Sequence, residues 1–268
     1  MTPDDVIPAA DVVVAGGWGD RRVFFDFATH QAECRPFVAE NDGEIVGTAV
    51  GTINGAAGWV GAVFVAPSAR HKGVGGGLTD AVIEALEGAA CRTLVLVATN
   101  EGRSIYERRG FTLDTTYRTL EASGTARVDG SLRPFVPEDL GSMIALDRLA
   151  TGEDRDHLLR TFATPISARI LDGDDGDLRG FVVRAPWGGG ATVAASPTDA
   201  VRILEGRRAS SHPDRRVRAG LLAENEEGID RLRRLGWVEA WHAPRFVRGA
   251  VLEWRPTWLW GQFNLAIG

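Results

Sequence analysis

The chain has few of the residues that would place it in several common classes of protein. It contains two cysteines, Cys34 and Cys91, and neither has a second Cys or a His nearby at metal-ligand spacing. A disulfide framework and a structural zinc site are therefore not expected. We predict no metal cofactor and a reducing, cytoplasmic location.

Long apolar runs and an excess of positive charge are also missing. No run approaches the roughly 20 apolar residues of a membrane span, and the acidic start at Asp4 and Asp5 is a poor signal peptide. The net charge is −6 at pH 7, which argues against electrostatic capture of nucleic acid or of an acidic membrane. We therefore expect neither a nucleic-acid nor a membrane partner.

What is present is the balance of a globular protein, with 44% hydrophobic and 25% charged residues. After a loop-rich start, three apolar runs separated by turn signals predict an antiparallel meander. A helix, a buried strand, a short helix and a further strand follow, which together predict a mixed α/β fold whose mostly antiparallel central sheet is flanked by helices. The predicted elements are strands 35–39, 44–53 and 59–65, helix 75–87, strand 93–98, helix 100–109 and strand 111–120.

The second half of the chain repeats this order after a small, polar segment, 122–131, which we interpret as a linker. NEEGIDRLRRLGW (225–237) resembles the earlier NEGRSIYERRGF (100–111). Both place an Asn at a strand end, then a short arginine-rich helix, then Gly and an aromatic residue. We predict two related domains in tandem, 1–121 and 132–268. The second is expected to contain helices in 137–163, strands at 168–171, 178–184 and 192–195, a helix at 197–207 and a strand at 217–223.

The segment VFVAPSARHKGVGGGLTDAVIEAL (63–86) carries the strongest functional signal. It gives a strand end, a proline stop, a basic glycine-rich loop and an amphipathic helix. Glycines let the backbone approach a ligand closely, and a helix N-terminus presents free N–H groups and a positive dipole end. With Arg70 and Lys72 this predicts a pyrophosphate site. Two other phosphate motifs fit less well. In a P-loop the lysine follows the glycines, whereas Lys72 precedes them, and a dinucleotide-binding fingerprint has its third glycine where this chain has Leu78.

The same loop matches the R-x-x-G-x-G/A signature of GNAT (GCN5-related) N-acetyltransferases, and NEGRSIYERRGF resembles the second cofactor motif of that family. The resemblance covers about 35–120. The tandem arrangement is similar to bacterial GNAT proteins whose second domain no longer binds cofactor. It implies that acetyl-CoA is the cosubstrate, with Tyr106 as general acid toward the departing thiolate. The implied cofactor-binding residues are Val63, Phe64, Val65, Arg70, His71, Lys72, Gly73, Val74, Gly75, Gly76 and Asn100.

The sequence offers four candidate residues for binding the acceptor, namely Trp18, Phe24, Phe27 and Asp26. They could form an aromatic pocket with an acid for a cationic amine, and the alternative is that the aromatic side chains only pack the domain together. Asn100 either orients the cofactor or caps its helix. Strand 59–65 has no carboxylate, so water relays, Asp26, His30 or Glu40 remain as alternatives for the general base.

The second domain lacks the phosphate loop and has Leu232 where Tyr106 stands. We interpret it as a degenerate GNAT-like scaffold that completes a substrate cleft or an oligomer interface, with a homodimer as one alternative. Asp147, Arg155 and His157 are expected on a solvated charged face. The tryptophan-rich tail 251–268 is expected to dock on the body or on a partner.

Three hypotheses for the function follow. The first is an acyltransferase that acetylates a primary amine of a small molecule, with a protein amine as a variant. The second is a non-catalytic acyl-CoA-binding sensor, and the third a scaffold that binds no CoA. Tyr106 favours the enzyme, whereas the missing strand carboxylate favours the sensor.

Overall fold

A computed structural model describes residues 1–99, 102–127 and 130–268. The chain packs into two compact units. Unit 1 contains Met1–Leu113, Phe246–Val251 and Leu265–Gly268, and unit 2 contains Asp114–Arg245 and Leu252–Asn264. The predicted domain boundaries do not coincide with these units, because two segments from the end of the chain pack with unit 1.

Unit 1 has the predicted order of strands and helices. The antiparallel meander is confirmed, since β1 pairs with β2 and β2 with β3 in antiparallel registers. Strand β4 pairs in parallel with β3. The elements are α1 (Val6–Ala15), α2 (Arg22–His30), β1 (Cys34–Asn41), β2 (Glu44–Asn54), β3 (Ala57–Val65), α3 (Val74–Gly88), β4 (Thr93–Val97) and α4 (Arg103–Glu107).

The prediction of a loop-rich start is wrong, because residues 6–15 form helix α1. The prolines and the glycine pair around this segment favour a loop in the sequence. Pro8, however, is the third residue of the helix, within the first turn, where backbone N–H groups have no partner inside the helix. A proline there costs the helix no hydrogen bond.

Helix α3 builds the core of unit 1. It buries Leu78, Val82 and Leu86 at helical spacing, and these side chains join a cluster with residues of β2, β3 and β4. Gly58 on β3 allows the close approach, because a Cβ there would lie 3.0 Å from Leu86 Cδ1. This packing fixes the N-terminus of α3 beside the end of β3.

Unit 2 contains two sheets. In one of them β5 lies between β10 and β11, and in the other the order is β12-β9-β8-β7-β6. The division between the units falls within β5 and β11. The elements are β5 (Thr112–Ser123), β6 (Arg133–Pro134), α5 (Leu140–Thr151), α6 (Asp156–Phe162), β7 (Ala168–Asp172), β8 (Leu178–Arg184), β9 (Gly190–Ala194), α7 (Pro197–Ala209), β10 (Arg216–Leu222), α8 (Glu226–Arg234), β11 (Val238–Gly249) and β12 (Leu259–Gly261).

The tail beyond β11 packs on the body of the protein, as one of the two expectations has it. Trp260 is fully buried in the core of unit 2. Residues 265–268 pack with unit 1, where Asn54 Nδ2 donates to the Ile267 carbonyl at 2.9 Å. Strand β5 extends to Ser123, into the predicted linker. None of the helices in the described ranges combines the length and the apolarity that a membrane crossing needs.

Candidate functional site

Strands β3 and β4 pair over only part of their length. In the described residues the pairing joins Ala57–Trp59 to Thr93–Val95, although β3 continues to Val65. On its other side β3 carries a bulge, because Ala62 and Val63 together stand opposite one residue of β2. Ala62 is in the left-handed region, with φ of 49°. The second half of β3 therefore has an edge that β4 does not cover.

Backbone groups at this edge alternate in direction. The Ala66 N–H donates to the Val46 carbonyl of β2 at 2.8 Å, so Ala66 faces β2. Alternation along the strand then directs the backbone groups of Val65 and Val63 away from β2, toward the uncovered edge. The Val65 carbonyl accepts a hydrogen bond from Arg70 Nε at 3.2 Å. The edge that the family resemblance assigns to the pantetheine arm thus exists in the fold.

The side chains of this strand end lie on two faces. Val63 and Val65 pack against the core under α3. Phe64 points to the opposite face, is 2% exposed, and meets the ring of Trp18 edge-on with 5.4 Å between the ring centroids. One predicted substrate residue, Trp18, is therefore in contact with one predicted cofactor-strand residue.

The loop between β3 and α3 has an unusual backbone. After the short turn Pro67–Ala69, Arg70 is extended, His71 is left-handed with φ of 61° and Gly73 is left-handed with φ of 86°. Left-handed φ is uncommon for a residue with a Cβ, and such conformations gather at ligand-binding sites. The side chains of Arg70, His71 and Lys72 are exposed. The loop presents both backbone N–H groups and positive charge to solvent.

Helix α3 begins without a cap. Its N-cap residue is Gly73, and among residues 1–99, 102–127 and 130–268 no side chain accepts from its first turn. The N–H groups of Val74, Gly75 and Gly76 make no hydrogen bond to another described residue, and the first helical bond runs from Gly77 to the Gly73 carbonyl. Three free donors at the positive end of a 15-residue helix suit a phosphate group. The residues present therefore fit a pyrophosphate-bearing cosubstrate.

Tyr106 lies on α4 and is 8% exposed. Its ring meets Phe111 edge-on at 6.2 Å. Burial raises the pKa of Tyr106 to about 12, against the opposing effect of the Arg109 charge. The hydroxyl has no hydrogen-bond partner within residues 1–99, 102–127 and 130–268. Asn100, the other residue predicted from this motif, lies outside the described residues.

An ion pair that the sequence analysis missed holds α4 against α3. Arg109 Nε and Nη2 donate to the two carboxylate oxygens of Asp80 at 2.5 and 2.7 Å, and Arg109 Nη1 donates to the Ile105 carbonyl at 2.9 Å. The bonds from Arg109 keep the pKa of Asp80 below its usual value. No local pattern links two residues 29 positions apart, so the sequence gives no signal for this pair.

The other predicted acceptor residues separate into two groups. Phe24 is 1% exposed and Phe27 is half-buried, as the packing interpretation requires. Asp26 is exposed, and its carboxylate lies 3.7 Å from Nδ1 of the exposed His30. Glu40 is also exposed. The aromatic residues therefore do not enclose the Asp26 carboxylate.

Unit 2 differs at the matching positions. Helix α7 follows β9 as α3 follows β3, yet it begins with Ser196, whose Oγ accepts from the Asp199 N–H at 3.1 Å. Leu232 on α8 is fully buried. The expectation of a solvated face for Asp147 and Arg155 is wrong, since each is 1% exposed and the two form an ion pair. Burial of a charge is costly unless an opposite charge pairs with it, and here the two buried charges pair with each other.

Comparison with known proteins identifies a matching family model and similar folds. The sequence model of the Acetyltransferase (GNAT) family matches residues 11–111, and no curated protein sequence matches the chain. A candidate acetyltransferase from Pyrococcus horikoshii has a similar structure, with 20% identity, a TM-score of 0.83 and coverage of 100% of this chain and 94% of the other. A GCN5-related N-acetyltransferase from Sphaerobacter thermophilus has 17% identity, a TM-score of 0.66 and coverage of 95% and 96%.

A tandem GNAT protein from the clavulanic acid biosynthesis pathway is also similar in fold, with 14% identity, a TM-score of 0.61 and coverage of 94% of this chain and 97% of the other. The prediction of a mixed α/β fold built from two tandem GNAT-like domains is confirmed. Residues 11–111 match the model of the GNAT acetyltransferase family, and the chain has the fold of a tandem GNAT protein.

Proposed function

We propose that unit 1 binds acetyl-CoA and transfers its acetyl group to the primary amine of a small molecule. The observation that carries this proposal is the uncapped N-terminus of α3, reached through the left-handed residues His71 and Gly73. Such a loop suits a pyrophosphate, because anions bind at a helix N-terminus through its free backbone N–H groups.

The pantetheine arm would lie along the uncovered edge of β3. The backbone groups of Val63 and Val65 would pair with its amides as a neighbouring strand would. Arg70 Nε donates to the Val65 carbonyl in this structure. Binding of the pantetheine arm would replace this hydrogen bond with one from a pantetheine amide. Arg70 and Lys72 are both exposed, so their positive charges would lie near the phosphates.

Tyr106 would act at the leaving group. The amine attacks the thioester carbonyl, the carbon–sulfur bond breaks, and the Tyr106 hydroxyl donates toward the sulfur. A thiol of pKa about 8.5 and a phenol of pKa about 12 differ by roughly 3.5 pKa units, or ~5 kcal/mol. A hydrogen bond that stabilises the departing thiolate is thus easier for Tyr106 than complete proton transfer.

The acceptor would approach the face of β3 that Phe64 and Trp18 share. An aromatic wall suits the apolar part of a small amine. Asp26, His30 and Glu40 are exposed, so water is the best-placed group to take the amine proton. The acidic balance of the chain, −6 at pH 7, favours a cationic small molecule over an anionic partner, and we place the reaction in the cytoplasm.

Unit 2 would bind no cofactor. Ser196 closes the first turn of α7, and Pro197 removes one further N–H. We therefore keep the division of roles in which 1–121 is the acetyltransferase domain and 132–268 is a degenerate scaffold, including the role as part of a substrate cleft or of an oligomer interface.

Tyr106→Phe tests the proposal. Release of free thiol from acetyl-CoA would be followed with a panel of amines that includes amino acids, polyamines and aminosugars. We expect kcat to fall by about 100-fold or more while calorimetry gives an unchanged Kd for acetyl-CoA. Trp241→Phe, at an exposed aromatic in unit 2, is the matched control and should keep full activity.

Two other results would contradict the proposal. Binding of acetyl-CoA without turnover of any amine, and without an effect of Tyr106→Phe, would support the acyl-CoA sensor instead. No binding by the correctly folded chain would leave only the scaffold.

A further inference from the structure

The interior of unit 2 holds an unusual number of charged side chains. Asp147, Glu153, Arg155 and Arg245 are each 5% exposed or less. Arg155 and Asp147 satisfy each other, because Nε and Nη2 of the arginine donate to the two carboxylate oxygens at 3.0 and 2.5 Å. This two-bond contact uses one particular edge of the guanidinium, the edge formed by Nε and Nη2.

The chain uses that edge repeatedly to hold carboxylates. The same two nitrogens face the two oxygens of an acidic side chain in the pairs Arg109–Asp80, Arg118–Glu239 and Arg133–Asp172. Because the guanidinium and the carboxylate are both planar forks, the edge fits a carboxylate better than it fits a single acceptor atom.

Arg245 has this edge buried and unused. Its Nη1 donates to the carboxylate of Asp114, whereas Nε and Nη2 are inaccessible to solvent and have no hydrogen-bond partner among the described residues. The ring of Trp254 lies under the guanidinium at 4.4 Å. The buried Tyr117 hydroxyl also interacts with Arg245, and this interaction opposes the rise in the Tyr117 pKa that burial causes. Donors of a buried cation are rarely left without an acceptor, because the lost hydration is not replaced.

We propose that the free edge of Arg245 is a binding site for a carboxylate, in unit 2 and separate from the acetyl-CoA site of unit 1. The ligand would place its two oxygens on Nε and Nη2 of Arg245, and Trp254 would hold the guanidinium in plane. Asp114 on Nη1 does not exclude a second carboxylate, since Arg133 already holds both Asp139 and Asp172 on its two edges.

The surroundings favour a monoanion over a phosphate. Asp114 is already present, and burial of a second negative charge becomes more costly as that charge grows. The side chain of Asp114 is 32% exposed, so the site lies one side chain below the surface of the unit. A small molecule that carries a carboxylate is the class of ligand this arrangement suits.

Acetate is the first probe, with phosphate and chloride as the comparison anions at a constant ionic strength of about 0.15 M. The Nε–H signals of the full chain labelled with 15N-arginine would be followed by NMR without acetyl-CoA, so the result does not depend on the function of unit 1. We expect a saturable shift of the Arg245 signal with acetate only. The Arg155 signal, already paired with Asp147, is the internal control and should not move. Arg245→Lys assigns the signal by removing it.

Asp114→Asn provides a second variant if Arg245→Lys does not fold. It keeps an acceptor on Nη1 but removes the competing charge, so acetate affinity should rise about threefold. A crystal structure from acetate should contain a planar group on Nε and Nη2. The proposal would be overturned by an ordered water alone on that edge, by no acetate response at Arg245, or by an equal or larger response to phosphate or chloride.

Discussion

Helices α3 and α7 each follow a strand in their own unit, yet their first turns are opposite in character. Helix α3 starts at Gly73, in the left-handed region, and no side chain in the described part of the chain accepts from the N–H groups of its first turn. Helix α7 starts at Ser196 in extended conformation, its Oγ accepts from Asp199, and Pro197 supplies no N–H. One helix leaves its donors for a ligand, and the other satisfies them within the chain.

Helix α8 of unit 2 is also capped. Asn225 Oδ1 accepts from the Gly228 N–H at 3.0 Å, and Asn225 Nδ2 donates to the Thr257 carbonyl. A unit that gains N-caps gains roughly 1 kcal/mol per helix, but it loses the donors that bind a phosphate. Stability and binding compete for the same N–H groups.

Of the substitutions that test the difference between α3 and α7, Gly75→Asp is expected to have the largest effect, a loss of affinity for acetyl-CoA. The new carboxylate blocks the approach to the α3 backbone and repels the pyrophosphate, so the affinity for acetyl-CoA should fall at least about 100-fold, or ~2.7 kcal/mol. Folding should survive, because a Cβ at Gly75 meets its nearest side-chain atom, in Val65, at 3.4 Å, and an acid in a first turn is favourable. Calorimetry measures the affinity, and thermal unfolding checks the fold.

Gly141→Asp is the matched control for that variant. Gly141 is the second residue of α5, as Gly75 is the second residue of α3, and nothing lies within 4 Å of a Cβ placed there. The same charge in a first turn of unit 2 should leave acetyl-CoA binding unchanged. Equal losses of affinity in both variants would mean that the α3 turn is not the phosphate site.

Ser196→Ala is expected to have a smaller effect, confined to stability. Loss of the cap should lower the free energy of unfolding by about 1 kcal/mol, measured as a shift of the urea midpoint. Acetyl-CoA affinity and stoichiometry should not change, since Pro197 still supplies no N–H and the Asp199 carboxylate in the first turn would repel a phosphate. A second acetyl-CoA bound by this variant would show that Ser196 alone silences unit 2.

The pH dependence of turnover should show the smallest effect. Tyr106 donates only while protonated, and its pKa is raised to about 12. Ionisation would therefore remove the donor only as the pH rises toward that value, and kcat at saturating acetyl-CoA should show no descending limb from this group below roughly pH 11. A limb centred near pH 9 that follows Tyr106 would contradict the buried environment described above.

The sequence predicts features that depend on residues only a few positions apart. The meander, the apolar stripe of α3 and the loop at Arg70–Gly76 follow from local periodicity and glycine placement, and the structure contains all three elements. The prediction of a loop at the start of the chain is wrong because a proline such as Pro8 is tolerated in the first turn of a helix. The bulge at Ala62 follows Gly61, and an isolated glycine inside a strand pattern is a bulge signal that the predictions left out.

The sequence does not predict features that depend on contacts between residues far apart in the chain. Asp80 of α3 pairs with Arg109, which lies just after α4. The sequence predicts a solvated face for Asp147 and Arg155 because it gives no sign of what covers them, and the structure buries both. The segment 265–268 joins unit 1 through Asn54, more than 200 residues away. Tertiary packing decides such cases, whatever the local pattern.

Hydrogen exchange with and without acetyl-CoA, combined with calorimetric stoichiometry on the same sample, tests the division between the units most directly. The account predicts one acetyl-CoA per chain, with new protection at the start of α3, around Gly73–Leu78, and none at the start of α7, around Ser196–Ile203. Two molecules per chain, or protection at α7, would contradict it.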